Sequence, residues 1–325
     1  MNGPVVVTGA TGFIGARLVR QLLADGASVR VLVRSPARLS RDVRGRVEVV
    51  VGDVRDPRAV DQGVRGARTV FHLAALAKAW MPDPSAFTET NMCGVQHILD
   101  AVRRHRVERL VHVSTALTLH RPDPSPSRIA TPYERSKLAG ERLVEAYARN
   151  DGHAVIVHPT RVYGPGPLND ANGVTRMIDL YLRGLFRFRI ADGGARANYV
   201  HAADVARGIR LAADRGRSGA HYVLGGTENL SLASFLRRVG ELAGGGRWMV
   251  PIPRFVARAV GAAGELQGRL FGATSLTRGW VDVFLRDLPF DVGQARSELG
   301  YAPRSLDRGL RETLTWLGTP GEEDV

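Results

Sequence analysis

The residues best suited to chemistry lie in the segment Tyr133-Glu-Arg-Ser-Lys137. On an α-helix, side chains four positions apart share a face, so the phenol of Tyr133 and the ammonium of Lys137 would point toward one ligand. A phenol titrates at about pH 10 in water, and a neighbouring cation favours its anion. The pair therefore predicts a tyrosine that exchanges a proton with a substrate, beside a lysine that supplies hydrogen-bond donors.

The choice of lysine at position 137 is informative, because the chain otherwise uses arginine. Of the 45 basic residues, only Lys78 and Lys137 are lysine. A rotatable ammonium has donors and a titration range that a guanidinium lacks. Retention of a lysine in this place indicates that arginine would not serve there.

A hydroxyl that could assist the tyrosine lies in the segment HVSTALTL, at the end of an apolar run. Thr115 or Ser114 could hydrogen-bond the reacting oxygen and hold it near the phenol. Both residues could instead cap the end of a strand. We expect one of them to complete the catalytic group.

Three glycines follow an apolar run near the start of the chain, in TGATGFIG at residues 8–15. Glycine at positions 9, 12 and 15 permits a tight turn and close approach of the backbone to a pyrophosphate. The helix that follows offers free N–H groups and a positive dipole end to phosphates. The cradle predicted for a dinucleotide comprises Gly9, Thr11, Gly12, Phe13, Ile14 and Gly15.

The residue after the second apolar run bears on which dinucleotide is bound. An acidic residue there would accept hydrogen bonds from a free ribose, but the sequence has Arg34. Arginine, helped by Arg38, suits a 2′-phosphate and favours NADP(H), with NAD(H) as the alternative. Asp53 and Val54 follow the third run, and Asp53 could accept from the adenine amine or cap the next helix.

In the part of the chain that carries these residues, short apolar runs alternate with segments of helical spacing. Strands are predicted at Pro4–Thr8, Ser28–Val33, Val47–Val51, Thr69–Leu73, Arg109–Ser114 and Ala154–His158, with helices at Gly15–Asp25 and Asn91–His105. The alternation predicts an α/β fold with a Rossmann-type doubly wound parallel sheet. Ligands of such sheets lie at the carboxyl ends of the strands, where the residues above cluster.

Beyond about residue 160 the pattern becomes irregular, with glycine- and proline-rich stretches between helical segments such as Leu232–Leu242 and Leu306–Leu317. We expect residues 1–160 to form the NAD(P)-binding domain. Residues 161–325 would form a smaller, interlocked substrate-binding region, with about 190–225 returning to the large sheet.

Composition restricts the class of protein. The 325 residues are 44% hydrophobic and 24% charged, with one cysteine, Cys93, which excludes an intrachain disulfide and a cysteine-based metal cluster. No long apolar run or secretion pattern is present, so a cytoplasmic protein is expected. No metal site is expected either. The net charge of +13 is spread along the chain without a dense basic run, and nucleic acid is not an expected partner.

Apolar side chains beyond the predicted sheet suggest the character of a substrate. Trp80, Met81, Phe186 and Phe188 are candidates to contact it, although they could equally be core residues. Residues 252–271 carry an apolar stripe flanked by arginines, which could touch a membrane surface or simply pack on the substrate region.

The motifs together resemble the extended short-chain dehydrogenase/reductase family, also described as the NAD-dependent epimerase/dehydratase family. TGATGFIG, VGDVRD, VFHLAA, TNMCGVQHILDA, VSTA, YERSK, HPTRVYGPG and NYVHAADVARGI occur in the family's order over most of the chain. The resemblance implies that Tyr133 is the acid/base, that Lys137 holds the nicotinamide ribose and that Thr115, or else Ser114, is the third member. It further implies cofactor contacts at Leu73, Ala74, Ala75, Asn91, Pro159 and Val162, and a homodimer.

Within the family, the chain most resembles the dihydroflavonol reductase, 3β-hydroxysteroid dehydrogenase and farnesol dehydrogenase branch. Ala116 and Leu117 stand where the 4,6-dehydratases carry an acidic pair, and Ala197 stands where epimerases place a diphosphate-binding arginine. We therefore expect an NAD(P)-dependent oxidoreductase that interconverts an alcohol and a carbonyl on a small, largely apolar substrate. A nucleotide-sugar epimerase is the alternative, and a non-catalytic dinucleotide sensor is a third reading.

Overall fold

The six apolar runs of the first half form neighbouring strands of one sheet. A computed structural model describes residues 3–78, 80–119, 131–190, 194–246, 248–272 and 277–318. Its strands are β1 Val5–Thr8, β2 Val29–Val33, β3 Glu48–Val51, β4 Thr69–His72, β5 Arg109–Val113, β6 Ala154–Pro159, β7 Arg161–Tyr163, β8 Phe188–Ile190, β9 Arg196–His201, β10 His221–Leu224, β11 Asn229–Ser231 and β12 Val250–Ile252. The six predicted strands are confirmed to about one residue at each end, the usual uncertainty of such bounds.

The helices that connect these strands cover both faces of the sheet. They are α1 Gly15–Ala24, α2 Pro57–Val64, α3 Ser85–Thr88, α4 Gly94–Arg104, α5 Pro132–Asn150, α6 Gly173–Leu182, α7 Ala202–Arg215, α8 Leu232–Leu242, α9 Arg254–Phe271, α10 Arg278–Leu285, α11 Gly293–Leu299 and α12 Leu306–Gly318. A π-helical turn at Glu89–Cys93 leads into α4, so the predicted helix from residue 91 begins in a wider turn.

The large sheet has seven parallel strands in the order β10-β6-β5-β4-β1-β2-β3. This is the predicted doubly wound Rossmann-type fold, with the reversal of strand order between β1 and β4. One face packs on α1 and α7 around Val7, Leu18 and Ile209, and the other packs on α2, α4 and α5 around Ile98 and Val144. Because both faces are covered, nearly every residue of the central strands is apolar.

The remaining strands lie outside this sheet. A three-stranded sheet has the order β11-β9-β7, and β8 pairs with β12. Their core contains Tyr163, Tyr181, Tyr199 and Phe235, whose rings are buried. The chain returns to the large sheet through α7 and β10, while β8 and β9 belong to the smaller sheets. The domain boundary at residue 160 stays a prediction.

Segment 252–271 is mostly one helix, α9, which packs on α10. The buried positions of α9 are the small residues Ala257, Gly261 and Gly268. Its large apolar side chains are exposed instead: Phe255, Val260, Leu266, Leu270 and Phe271. Among the described residues, no helix has both the length and the apolar character needed to cross a membrane.

Thr8 fastens the end of β1 to the end of β4. Its hydroxyl oxygen lies 2.8 Å from His72 Nδ1 and accepts from the N–H groups of Leu73 at 3.2 Å and Ala74 at 3.1 Å. The residue has no exposed surface. One side chain therefore satisfies several buried polar groups where the two strands meet the cofactor-side loops.

We predict that Thr8→Val lowers the free energy of unfolding by about 1–3 kcal/mol, because it keeps the shape of the side chain but removes the hydroxyl that pairs with His72 Nδ1 and the Ala74 N–H. Thr8→Ser, which keeps the hydroxyl, is the matched control and should retain most of the stability. Urea unfolding of the three proteins measures the difference. Equal stability of Thr8→Val and the wild type would contradict the assignment.

Candidate active site

The predicted site residues gather where parallel strands end. Thr8, His72, Val113 and Pro159 are the last residues of β1, β4, β5 and β6, which are neighbours in the sheet. The glycine turn follows β1, the segment Leu73–Ala75 follows β4, and Ser114 and Thr115 follow β5. Helix α5 brings Tyr133 and Lys137 to the same edge by packing on β6.

The start of α5 is held by a capping box. The Thr131 hydroxyl accepts from the Glu134 N–H at 3.2 Å, the Glu134 carboxylate accepts from the Thr131 N–H at 3.0 Å, and Pro132 occupies the first turn. Both capping side chains are buried, and Arg286 pairs with Glu134 at 2.9 Å. Thr131 and Glu134 were not predicted from the sequence, although Thr-Pro-Tyr-Glu is a recognisable capping motif. Tyr133 thus lies in a turn with little freedom.

Lys137 is buried under α5, with 2% of its surface exposed. Its ammonium donates to the Val113 carbonyl at 2.8 Å. Burial lowers the pKa of this ammonium to about 8, and the negative charge of Glu141 opposes that shift. The carbonyl at the end of β5 therefore holds the positive charge of this α5 side chain in the interior, where a charged group is stable only when it is paired.

Tyr133 is half-buried, and removal of its phenol from water raises its pKa to about 12. A hydrogen bond with Thr115 acts in the opposite direction, and the charges of Glu134 and Glu141 reinforce the rise. The sequence had suggested that Lys137 would lower this pKa. In the structure the effects of burial exceed those of the hydrogen bond, and the phenol holds its proton at neutral pH.

The two candidate hydroxyls have different surroundings. Thr115 hydrogen-bonds Tyr133, and its hydroxyl also accepts from the Leu117 N–H at 3.4 Å, as a cap of the following 3-10 turn. Ser114 is buried and donates to the Glu141 carboxylate. Only Thr115 is therefore placed beside the phenol, and Ser114 belongs to the interior between β5 and α5.

Asn91 lies buried in the π-helical turn and is tied to two elements. Its amide oxygen accepts from the Leu76 N–H at 2.7 Å, and its amide nitrogen donates to the Ser136 hydroxyl at 2.9 Å and to the Leu76 carbonyl at 3.2 Å. These side-chain bonds reach the loop after β4 and the residue before Lys137, but none of them reaches Lys137 itself. Asn91 joins the predicted cofactor loop to α5.

At Gly9 and Gly15 the turn leaves no room for a side chain. Gly9 has φ +74°, and a Cβ there would lie 2.7 Å from the Ala74 nitrogen; a Cβ at Gly15 would overlap the Gly9 carbonyl. Helix α1 begins at Gly15 without a side-chain cap and without an acidic residue in its first turn. A cradle of bare backbone at a helix start fits the pyrophosphate of a dinucleotide. Thr11, Gly12 and Ile14 lie in this turn, whereas Phe13 is buried against Gly166.

Arg34 and Asp53 lie together at the ends of β2 and β3. The Arg34 side chain is 73% exposed and its guanidinium is 3.9 Å from the Asp53 carboxylate, which pairs more closely with Arg55 at 3.0 Å. Burial raises the pKa of Asp53, but its bonds with Arg55 exceed that effect and the pKa is lowered. Arg34 therefore presents its charge to solvent beside an acid already paired with another arginine.

The other residues predicted to contact the cofactor differ in how far they are buried. Ala75 is exposed, Leu73, Ala74 and Val162 are half-buried, and Pro159 and Val54 are buried. Val54 packs on Gly94 and its carbonyl lies 3.0 Å from His97 Nδ1. Their contacts with a cofactor stay predictions.

The substrate candidates do not form one cluster of described contacts. Trp80 and Met81 are half-buried beyond β4, Phe186 packs on the core of the smaller sheets, and Phe188 is 53% exposed on β8. Arg196, which neighbours the epimerase arginine position, makes two bonds to Asp287, at 3.1 and 2.8 Å. Ala197 is buried. The role of these side chains toward a substrate stays a prediction.

We predict that Gly15→Ala lowers dinucleotide affinity by about tenfold or more, about 1.4 kcal/mol, because the new methyl displaces the Gly9 carbonyl and opens the turn. Gly173→Ala is the matched control: Gly173 also begins a helix, α6, and a Cβ there meets nothing within 4 Å. Calorimetric titration with NADPH and NADH, together with thermal melting, separates weaker binding from unfolding. Wild-type affinity in Gly15→Ala would refute the cradle.

The chain matches known proteins along most of its length. Residues 5–225 match the model of the NAD dependent epimerase/dehydratase family. A 4-hydroxy-2-methyl-3-oxo-4-farnesyl-3,4-dihydroquinoline-1-oxide ketoreductase from Stigmatella aurantiaca is 32% identical, over 97% of either chain. A 2-alkyl-3-oxoalkanoate reductase from Stenotrophomonas maltophilia is 29% identical over 94% of this chain and 97% of its own. A UDP-glucose 4-epimerase from Thermus thermophilus, in complex with NAD, has a TM-score of 0.73 at 25% identity, over 98% of this chain and 100% of its own.

These similarities agree with the seven-stranded sheet, the glycine cradle and the Tyr133–Lys137 pair, which the fold brings to one edge. The chain belongs to the NAD-dependent epimerase/dehydratase family, within the extended short-chain dehydrogenases/reductases.

Proposed function

We propose that this protein reduces a carbonyl group on a largely apolar small molecule, with a nicotinamide dinucleotide as the hydride donor. The observation that carries the proposal is the meeting of Tyr133, Lys137 and Thr115 at the edge of the sheet where the glycine cradle lies; burial also raises the pKa of the Tyr133 phenol to about 12. A phenol that keeps its proton is a general acid, which is what a carbonyl oxygen needs as it becomes an alcohol. The similarity to two proteins named as reductases supports this direction.

Each catalytic group then has a task that its position allows. Bound in the glycine cradle, the dinucleotide supplies the hydride. Thr115 and Tyr133 hold the carbonyl oxygen, and the phenol gives its proton to that oxygen, so that no free alkoxide accumulates. Lys137 stabilises the resulting phenolate by its positive charge. In the reverse direction the same residues would accept the proton of an alcohol.

An apolar substrate is favoured over a nucleotide sugar by the side chains available. Ala197 stands at the position of the epimerase arginine, and the charge of the neighbouring Arg196 is already paired with Asp287. Exposed apolar side chains are frequent in the C-terminal region, with Leu185 70%, Trp248 77% and Phe255 73% exposed. Such surface suits a hydrophobic ligand. The farnesyl group in the name of the Stigmatella aurantiaca relative is of the same chemical character.

We predict that Tyr133→Phe lowers the turnover of carbonyl reduction by at least about 100-fold, because the proton donor is lost while the ring remains. Dinucleotide affinity should stay close to that of the wild type. Tyr147→Phe is the matched control, since Tyr147 is a buried tyrosine on the same helix. The decrease of nicotinamide absorbance with terpenoid, steroid, flavonoid and nucleotide-sugar carbonyls measures turnover.

Unchanged turnover in Tyr133→Phe would refute the acid role. Net turnover of nucleotide sugars without consumption of the dinucleotide would favour the epimerase instead. A wild type that binds dinucleotide but converts no carbonyl or alcohol would favour the sensor.

NADP(H) is proposed as the preferred cofactor, on the strength of the exposed Arg34 guanidinium. We predict that Arg34→Ser lowers kcat/KM for NADPH by about tenfold, through loss of a charge-assisted hydrogen bond to the 2′-phosphate. The value for NADH should change by less than about twofold, which serves as the internal control in the same preparation. Equal losses for both cofactors would contradict the proposed role of Arg34.

A further inference from the structure

Helix α5 carries a stripe of titratable side chains that extends beyond the two catalytic ones. Tyr133, Lys137, Glu141 and Glu145 follow one another at intervals of four, so they share one face of the helix. Lys137 and Glu141 are each 2% exposed, whereas the Glu145 side chain is 32% exposed. The stripe therefore begins at the reacting phenol and ends at the surface.

Two histidines from neighbouring strands line this stripe. His158 of β6 has no exposed surface, and its Nε2 lies 3.0 Å from Nδ1 of His221 on β10. Both rings lie on the same face of the sheet, because Val223, two residues after His221, is directly opposite His158 in the β6–β10 pairing. His221 Nε2 lies 3.4 Å from a Glu145 oxygen. Contacts between polar atoms thus lead from Glu145 through two rings into the interior.

The inner end of this series of contacts reaches Glu141. His158 Nδ1 lies 3.4 Å from the Thr118 hydroxyl oxygen, and that hydroxyl lies 2.6 Å from a Glu141 oxygen. The same oxygen of Glu141 accepts from Ser114, and its charge acts on the neighbouring Lys137. Polar atoms therefore follow one another from the surface to Glu141, which lies one turn of α5 from Lys137 inside an otherwise apolar layer.

The rings can exist in two hydrogen-bonded arrangements. Burial lowers the pKa of His158 to about 3, so at neutral pH its ring is uncharged, with one donor and one acceptor nitrogen. In one arrangement His158 Nδ1 donates to the Thr115 carbonyl, 3.1 Å away, and its Nε2 accepts from His221. In the other, His158 Nδ1 accepts from Thr118, Nε2 donates to His221, and His221 donates to Glu145. Passage of a proton converts one arrangement toward the other.

We propose that Glu145, His221, His158, Thr118 and Glu141 form the path by which a proton from solvent returns to Tyr133 through Lys137 after each reduction. The proposal rests on the proposed function. Each ring takes a proton at the nitrogen facing outward and releases one at the nitrogen facing inward. Lys137 gives a proton to the Tyr133 phenolate and takes one back from Glu141, one turn further along α5. One proton enters from solvent at Glu145, and one converts the Tyr133 phenolate back to a neutral phenol. Lys137 and Glu141 each give up one proton and take up one, and both rings stay neutral with their proton on the other nitrogen.

Other titratable side chains lie near the path. His112 of β5 lies on the same face, stacks on His72 with ring centroids 5.4 Å apart, and has its pKa lowered by burial and by the charge of Lys137. Neither ring nitrogen of His112 has a hydrogen-bond partner within the described part of the chain. A buried histidine on the next strand thus offers a control that lacks the contacts of the path.

The test compares His221→Gln with His112→Gln in carbonyl reduction at saturating dinucleotide and substrate. We expect His221→Gln to lower kcat by about tenfold with unchanged KM values, since binding does not involve the path and only phenolate reprotonation slows. His112→Gln should keep kcat within about twofold. Circular dichroism and thermal melting verify that both variants are folded.

A second variant separates proton transfer from packing. His221→Ala leaves a space near the surface, and added imidazole should restore kcat, with substituted imidazoles restoring it more as their own pKa rises toward the assay pH. A purely structural histidine would show no dependence on the basicity of the added molecule. Wild-type kcat in His221→Gln, or a loss in folded His221→Ala that imidazole does not restore, overturns the path.

Two further outcomes are informative. Ligand atoms of Glu141, His158 and His221 lie within 4.8 Å of one another, a spacing that a metal ion could bridge. One equivalent of bound zinc in the purified protein, with activity lost to a chelator, would assign these residues to a metal and overturn the path. A wild type that reduces no carbonyl refutes the proposed function and the path together, whereas an active wild type with unaffected His221 variants refutes the path alone.

Discussion

A buried ammonium is the constraint on which the rest of the site depends. Lys137 is nearly inaccessible to solvent, and a lone cation in the interior would cost several kcal/mol. The Val113 carbonyl and the Glu141 charge compensate for that cost, and Glu141 is itself held by hydroxyls of Ser114 and Thr118. This network requires α5 to lie against the ends of β5 and β6 in one register. Tyr133, one turn earlier on α5, is positioned by the same contacts.

The glycine turn and α5 reach the same edge of the sheet by different routes. The turn follows β1 directly, and Thr8 binds the end of β1 to the end of β4. Asn91 then ties the loop after β4 to Ser136, the residue before Lys137. The glycine turn and α5 are thus linked by hydrogen bonds between side chains and backbone.

Much of the fold could be predicted because burial on both faces makes each central strand a nearly pure apolar run. The roles of single side chains could be predicted less well. Ser114 and Thr115 are adjacent and chemically alike, yet alternation along an extended chain turns one toward Glu141 and the other toward Tyr133. Phe186 and Phe188 likewise separate into a partly buried residue that packs on the core and an exposed one. The pKa of Tyr133 rises because of burial that the local sequence does not reveal.

The sequence by itself determined the family, the parallel sheet, the glycine cradle and the Tyr133–Lys137 pair, since each depends on local spacing or on the apolar period of a single element. Only the tertiary structure decided what surrounds them. His158 and His221 are 63 residues apart in sequence and meet because β10 returns to pair with β6. The occupied state of Arg196 and the exposed apolar face of α9 likewise depend on distant partners, Asp287 and α10. Packing between residues that are distant in the sequence determines which charged groups surround a residue and how far it is exposed to water. No local sequence pattern encodes this packing.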